Sequence, residues 1–127
     1  MDQLTTYADV VADVKEALLE RSEAALQAGV DENQIIWDPG LGFAKTHEQN
    51  LQLLRDLEQL TAGPRPVLMG PSRKRFIGAV LDEPRPKARL WGTAAVACRC
   101  AQAGAAVLRV HDVSPISQTL RMAAELW

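Results

Sequence analysis

The chain of 127 residues is 47% hydrophobic and 24% charged, with a net charge of −2. That balance excludes a disordered tail and describes one globular unit with a core of moderate size. Apart from Arg73, Lys74 and Arg75 no cluster of basic residues stands out, which argues against nucleic acid as a partner, and no leader or apolar run of membrane-spanning length is present, so no membrane is expected and the cytoplasm is the expected location.

Residues 7–28 place Val10, Val11, Val14, Ala17, Leu18, Ala25 and Leu26 at helical spacing between charged positions. This predicts an amphipathic helix stopped by Gly29. Residues 34–38 form a short β-rich run that ends at Asp38 and is cut by Pro39 and Gly40, the pattern of a buried strand with its polar residue at the carboxyl end. The loop 40–45 carries two glycines without the spacing of a nucleotide-binding fingerprint. Thr46 and Gln49 have capping-box spacing, and Leu51, Leu53, Leu54, Leu57 and Leu60 predict one continuous helix that ends before Gly63. His47, just past the cap, reads as a surface residue.

A second apolar run at 67–69, bounded by Pro66 and by Gly70 and Pro71, reads as a buried strand, with Ser72 as N-cap of a short helix through Leu81. Three cations in that first turn have the wrong sign for the helix dipole, at roughly a few tenths of a kcal/mol each, unless an anion sits there. They are either a ligand site or a solvated basic face. After a polar, proline-punctuated connection at 82–87, residues 90–103 predict a largely buried helix closed by Gly104. Within it Cys98 and Cys100, two apart, face different directions and are expected to be free thiols. Residues 105–111 predict the third strand, and Ser114 followed by Pro115 predicts the start of a last helix to Leu126. One helix followed by three strand–helix units predicts an α/β fold with a parallel sheet, its strands buried on both faces.

Each predicted strand ends in polar chemistry: Asp38 after the first, Ser72, Arg73 and Lys74 after the second, and Arg109, His111 and Asp112 on the third. In a parallel sheet these fall on one carboxyl edge, where α/β folds build their sites. Strand alternation puts Arg109 and His111 on the face of Val107, and Asp38 on the face of Ile36. Singly each has a duller role: Asp38 as a turn cap, His111 as a core histidine, Arg109 as the partner of Asp112. Together they supply an acid, at least two cations and a histidine, a set suited to a polar heterocycle plus an anionic leaving group. Phosphate sites in eight-stranded barrels often sit after strands seven and eight, which suits the last two strands here if the chain is a barrel's end. No metal-ligand cluster stands out.

The residues 38–46 (Asp-Pro-Gly-Leu-Gly-Phe-Ala-Lys-Thr) with Asn50 and Leu51, Gly70-Pro71-Ser72-Arg73-Lys74, Arg89 with Gly92 and Thr93, and Arg109-Val110-His111-Asp112-Val113 resemble the dihydropteroate synthase family. The resemblance runs through nearly the whole chain, and the Ser-Arg-Lys and Arg-Val-His-Asp runs separate it from other pterin-binding barrels. It implies a partial eight-stranded (β/α) TIM barrel, about three strands from its C-terminal part, with residues 1–127 as a single fragment. The implied reaction joins p-aminobenzoate to dihydropterin pyrophosphate and releases pyrophosphate in folate biosynthesis, assisted by Mg²⁺ whose usual ligands lie outside this fragment. Carried over by motif, Asp38 hydrogen-bonds the pterin and Lys74 contacts the pterin close to the aminobenzoate. Gly42, Phe43 and Ser72 belong to the substrate pocket, where sulfonamides act as mimics, and Arg109 and His111 hold the pyrophosphate. Lys74, Arg109 and His111 form the implied catalytic set. Ala44 stands where the family usually has Gly, which is expected to stiffen the loop.

A complete barrel takes about 250 residues. A three-stranded remnant is therefore expected to leave two sheet edges and an inner face open, and a homo-oligomer is the expected remedy. Two readings follow. The chain is a truncated dihydropteroate synthase with negligible turnover alone, or it is a non-catalytic oligomeric scaffold that binds at most an anion.

Overall fold

The structure, a computed structural model, describes residues 9–127, and Tyr7, at the expected start of the first helix, lies outside the described residues. Helix α1 (Val10–Gln27) opens on Asp9, whose carboxylate accepts the Val11 and Ala12 N–H groups at 3.1 and 3.2 Å. It closes as predicted at Gly29, with φ 98°. There the Val30 N–H donates to the Ala25 carbonyl and the Gly29 N–H to that of Leu26, the paired bonds of a Schellman ending.

The three expected strands become a two-stranded parallel sheet and one flanking bridge. Strand β1 (Leu68–Met69) pairs with β2 (Val107–Leu108) in the register Leu68 to Val107 and Met69 to Leu108. Trp37 bridges Val67 in parallel on the other side, with its N–H on the Pro66 carbonyl at 2.8 Å and its carbonyl accepting from Leu68 at 2.7 Å. The elements are short for local reasons. Asp31 and Gln34 cap a 3₁₀ turn (Glu32–Gln34) reciprocally, which draws the start of the first run out of the sheet. Pro66 and Pro71 supply no N–H to extend β1.

The strands are buried on one face, not on both as expected. Trp37, Val67 and Met69 are almost wholly enclosed with Val11, Leu53, Leu57, Leu60 and Phe76, each worth about 1.5–3 kcal/mol on burial. The Trp37 Nε1–H donates to Ser22 Oγ of α1 at 2.8 Å. Among the described residues nothing covers the opposite face, where Ile36 is 54% and Val107 40% exposed.

The predicted second helix divides into α2 (His47–Arg55) and α3 (Glu58–Thr61). The break has a tertiary cause. Arg99, on α5 (Leu90–Gln102), donates to the carbonyls of Leu54 and Arg55 at 2.9 and 2.8 Å, the acceptors that a continuous helix would use. Helix α4 (Arg75–Leu81) begins three residues later than Ser72, with Lys74 at the N-cap and no capping side chain. Ser72 is therefore not the cap, because its hydroxyl is engaged by β2's downstream residues. The connection to α5 contains a 3₁₀ turn (Pro86–Arg89). Helix α6 (Val113–Leu126) starts one residue before Ser114, with Asp112 at the N-cap position and its carboxylate turned to Arg73.

Candidate active site at the carboxyl edge

Asp38, Gly70 and Arg109 stand at the ends of the bridge segment, β1 and β2. Arg109 extends across Gly70, where a Cβ would lie 2.7 Å from its Nη2. Its Nη1 reaches to 3.9 Å from Asp38 Oδ2, with the two side chains 61% and 43% exposed. Asp38 Oδ1 also accepts the Gly40 N–H at 2.9 Å, so its role as a turn cap and its approach to Arg109 coexist. Arg109 does not pair with Asp112.

The loop after Asp38 is wound around one ammonium group. Lys45 Nζ donates to the carbonyls of Pro39, Gly40 and Phe43 at 3.0, 2.9 and 3.0 Å. Burial holds that amine below the usual lysine range, with Asp38 acting against the shift. Gly40 and Gly42 take φ 72° and 86°, and Ala44 adopts 53°. The Gly42 N–H donates to Asn50 Oδ1 at 2.8 Å, and the buried Asn50 amide donates in turn to the Thr46 carbonyl. This presents the half-exposed Phe43 ring to Lys74, whose Nζ lies 4.2 Å from the ring centroid. A Cβ at Gly42 would stand 3.0 Å from Lys74 Cδ, so Gly42 leaves room for that stem. Burial lowers the Lys74 amine from 10.5, the Arg109 guanidinium adds to the effect, and Asp38 opposes it.

Ser72 is buried, and its Oγ accepts the His111 N–H at 3.0 Å and lies 2.7 Å from His111 Nδ1. His111 is exposed, so it is not a core histidine. Arg73, at φ 59°, forms a bidentate pair with Asp112 through Nε and Nη2 at 3.2 and 2.9 Å, which holds the Asp112 carboxyl below the usual carboxylate range. Of the three consecutive cations, Arg73 is thus structural, Lys74 faces the loop and Arg75 is exposed.

An open cleft of about 700 Å³ runs beside this edge, lined by Phe43, Lys45, His47, Asn50, Lys74 and Arg75 among others and by no acidic residue. Its chemistry suits an aromatic anion. Among the described residues no group of three or more His, Cys, Asp or Glu is placed to hold a metal ion. Asp38 and Asp112 each face an arginine, so these residues do not fit a Mg²⁺ site. The residues whose roles were not legible beforehand are Asn50, Lys45, Arg89 and Thr93. Each acts on main-chain groups, and none carries a sequence signal for that.

The model of the family described as pterin binding enzyme matches residues 1–111. The chain belongs to that family. A dihydropteroate synthase of Synechocystis is 47% identical over 127 residues, covering 100% of this chain and 44% of that protein. The Xanthomonas albilineans dihydropteroate synthase solved with 4-aminobenzoic acid superposes with a TM-score of 0.94 at 41% identity, covering 97% of this chain and 45% of that one. The Thermus thermophilus enzyme in complex with 6HMPPP gives a TM-score of 0.92 at 41% identity, over 98% and 49%. The chain spans less than half the length of these relatives, and its α/β fold with a parallel sheet is that of part of their barrels. The expected assignment to the C-terminal part of the barrel is not retained, because the comparisons set the matched region in the N-terminal part of the relatives. Among the described residues no helix is long and apolar enough to cross a membrane.

Proposed function

We propose that this carboxyl edge is a substrate site for dihydropteroate synthesis, in which p-aminobenzoate and a dihydropterin pyrophosphate are joined with release of pyrophosphate. The observation that carries the reading is the chemistry at the three strand ends, with Arg109 3.9 Å from Asp38, His111 against Ser72 and Lys74 over the Phe43 ring, the last pair lining a cleft that has no acidic residue and that Asp38, Arg109 and His111 do not line. In this reading Asp38 accepts hydrogen bonds from the pterin ring. Phe43, Gly42 and Lys74 hold the aminobenzoate, its ring against Phe43 and its carboxylate toward the cations of the cleft, and sulfonamides compete there. Arg109 and His111 receive the pyrophosphate as the C–O bond breaks and negative charge gathers on the leaving oxygens, a change that preorganised cations and donors stabilise. The solved relatives carry 4-aminobenzoic acid and 6HMPPP, which supports both halves of the assignment.

A second reading has its own observation. The open sheet face bearing Ile36 and Val107, in a chain with less than half its relatives' length, favours negligible turnover by this polypeptide alone and association of copies through that face. The experiment is dihydropteroate formation by the purified chain together with its mass by light scattering. Turnover close to that of a full-length synthase would remove the second reading. Absence of both turnover and 4-aminobenzoate binding would remove the first. A strictly monomeric mass at micromolar concentration would sink the association.

A further inference from the structure

The turn that carries Ser72 and Lys74 is held from outside the site. Arg73 occupies the left-handed region at φ 59°, which a residue with a side chain adopts at a cost. Its N–H, its carbonyl and its guanidinium each have a partner from another element. Its N–H donates to Thr93 Oγ1 at 3.1 Å, its carbonyl accepts from Arg89 Nη1 at 2.9 Å, and its guanidinium pairs with Asp112.

Thr93 is fully buried and Arg89 is 8% exposed. The other Arg89 bonds, from Nε and Nη2, go to the carbonyls of Glu83 and Pro84, each at 2.9 Å. A buried guanidinium that donates to three main-chain carbonyls serves the shape of the backbone and not the neutralisation of charge. Gly78 gives it passage, since a Cβ there would lie 2.5 Å from Arg89 Nε. The outcome is visible on either side of Arg73: Ser72 turns to His111, and Lys74 turns to Phe43.

We propose that Thr93 and Arg89 are positioning residues of the site: by clamping the main chain of Arg73 in its left-handed conformation they hold Lys74 over Phe43 and Ser72 against His111. The value of that frame for substrate binding rests on the function proposed above, whereas the frame can be tested without any ligand.

The Lys74 side-chain methylene nearest the ammonium lies by the Phe43 ring, so its protons carry an upfield ring-current shift readable in a ¹H–¹³C spectrum of the parent chain. Thr93→Val keeps the shape and removes the acceptor; most of that shift should disappear, while Thr93→Ser, which keeps the hydroxyl, should retain it. A merely structural Thr93 would lower the melting temperature and leave the Lys74 resonance of the folded protein in place, and that result overturns the proposal. If Thr93→Val does not fold, Arg73→Gly is added, because glycine adopts the left-handed conformation freely. The double variant should then recover folding and the Lys74 shift, and failure to recover both also overturns it. Titration of the parent with 4-aminobenzoate separates the two ideas. A parent that shows the shift but binds no 4-aminobenzoate refutes the substrate reading and leaves the frame intact.

Discussion

Gly70→Ala is the sharpest test of how Arg109 is used. The added Cβ would stand 2.7 Å from Arg109 Nη2 and 3.4 Å from its Cζ, inside the usual separation of about 3.5 Å or more. The obstacle is the far end of a flexible and largely exposed side chain, so the guanidinium retreats and the fold survives. Its pairing with Asp38, already 3.9 Å long between half-exposed groups, is worth no more than about 1 kcal/mol. The melting temperature should therefore move by only about 4 °C or less. Binding should respond far more. A guanidinium that meets an anion through charge-assisted hydrogen bonds contributes about 1.5–3 kcal/mol, so its displacement should weaken pyrophosphate binding about 10- to 100-fold. Isothermal calorimetry with pyrophosphate, run on the parent, Gly70→Ala and Arg109→Ala, should give two similar losses. A Gly70→Ala protein that binds within twofold of the parent would refute the reasoning, as would one that fails to fold.

Three further outcomes are expected. Ala44 holds φ 53°, so Ala44→Gly relieves a left-handed strain and should stabilise the chain by up to about 1 kcal/mol after the entropy that glycine adds to the unfolded state; a lower melting temperature would refute this. The Lys74 amine titrates below 10.5 in the folded chain because of burial and Arg109. Between that lowered value and 10.5 the unfolded state binds more protons, so stability rises with pH across the window. Urea midpoints should show the parent gaining on Lys74→Met as pH rises toward 10.5, and a pH-independent difference between the two sinks the argument. Burial pushes the Cys100 thiol up to about 12, so at pH 8.5 iodoacetamide should label the half-buried Cys98 and spare Cys100 until denaturant is added. Equal labelling of both cysteines in the native chain contradicts it.

Local signals determined what could be read from the sequence. The capping box of Thr46 and Gln49, the stops at Gly29 and Gly104, and the apolar runs around Trp37, Val67 and Val107 depend on near neighbours, and the structure has them. The break between α2 and α3 was illegible because Arg99, more than 40 residues away in the chain, takes the carbonyls of Leu54 and Arg55. Ser72 misled for the same reason. A serine between an apolar strand run and a helical segment has the pattern of an N-cap, yet a partner 39 residues on, His111, competes for its hydroxyl. Pairing of Arg73 with Asp112 in place of Arg109 with Asp112 is likewise a choice made by tertiary geometry.

The candidate site divides along the same line. Candidates for meeting a ligand were legible as polar groups at the carboxyl ends of apolar runs, and the structure sets Arg109 3.9 Å from Asp38, Lys74 over the Phe43 ring and His111 against Ser72. Residues that aim them were not. Asn50 fixes Gly42, Lys45 gathers three loop carbonyls, and Thr93 with Arg89 fixes Arg73, all through main-chain groups that every sequence contains. A side chain bound to main-chain groups leaves no complementary residue type to search for. Its trace is instead the conformation that it sustains: of the three described non-glycine residues at positive φ, Ala44 follows Phe43 and Arg73 precedes Lys74. The strain is placed next to the two groups that meet over the cleft, which is where a fold must spend stability to hold a ring and an ammonium in fixed relation.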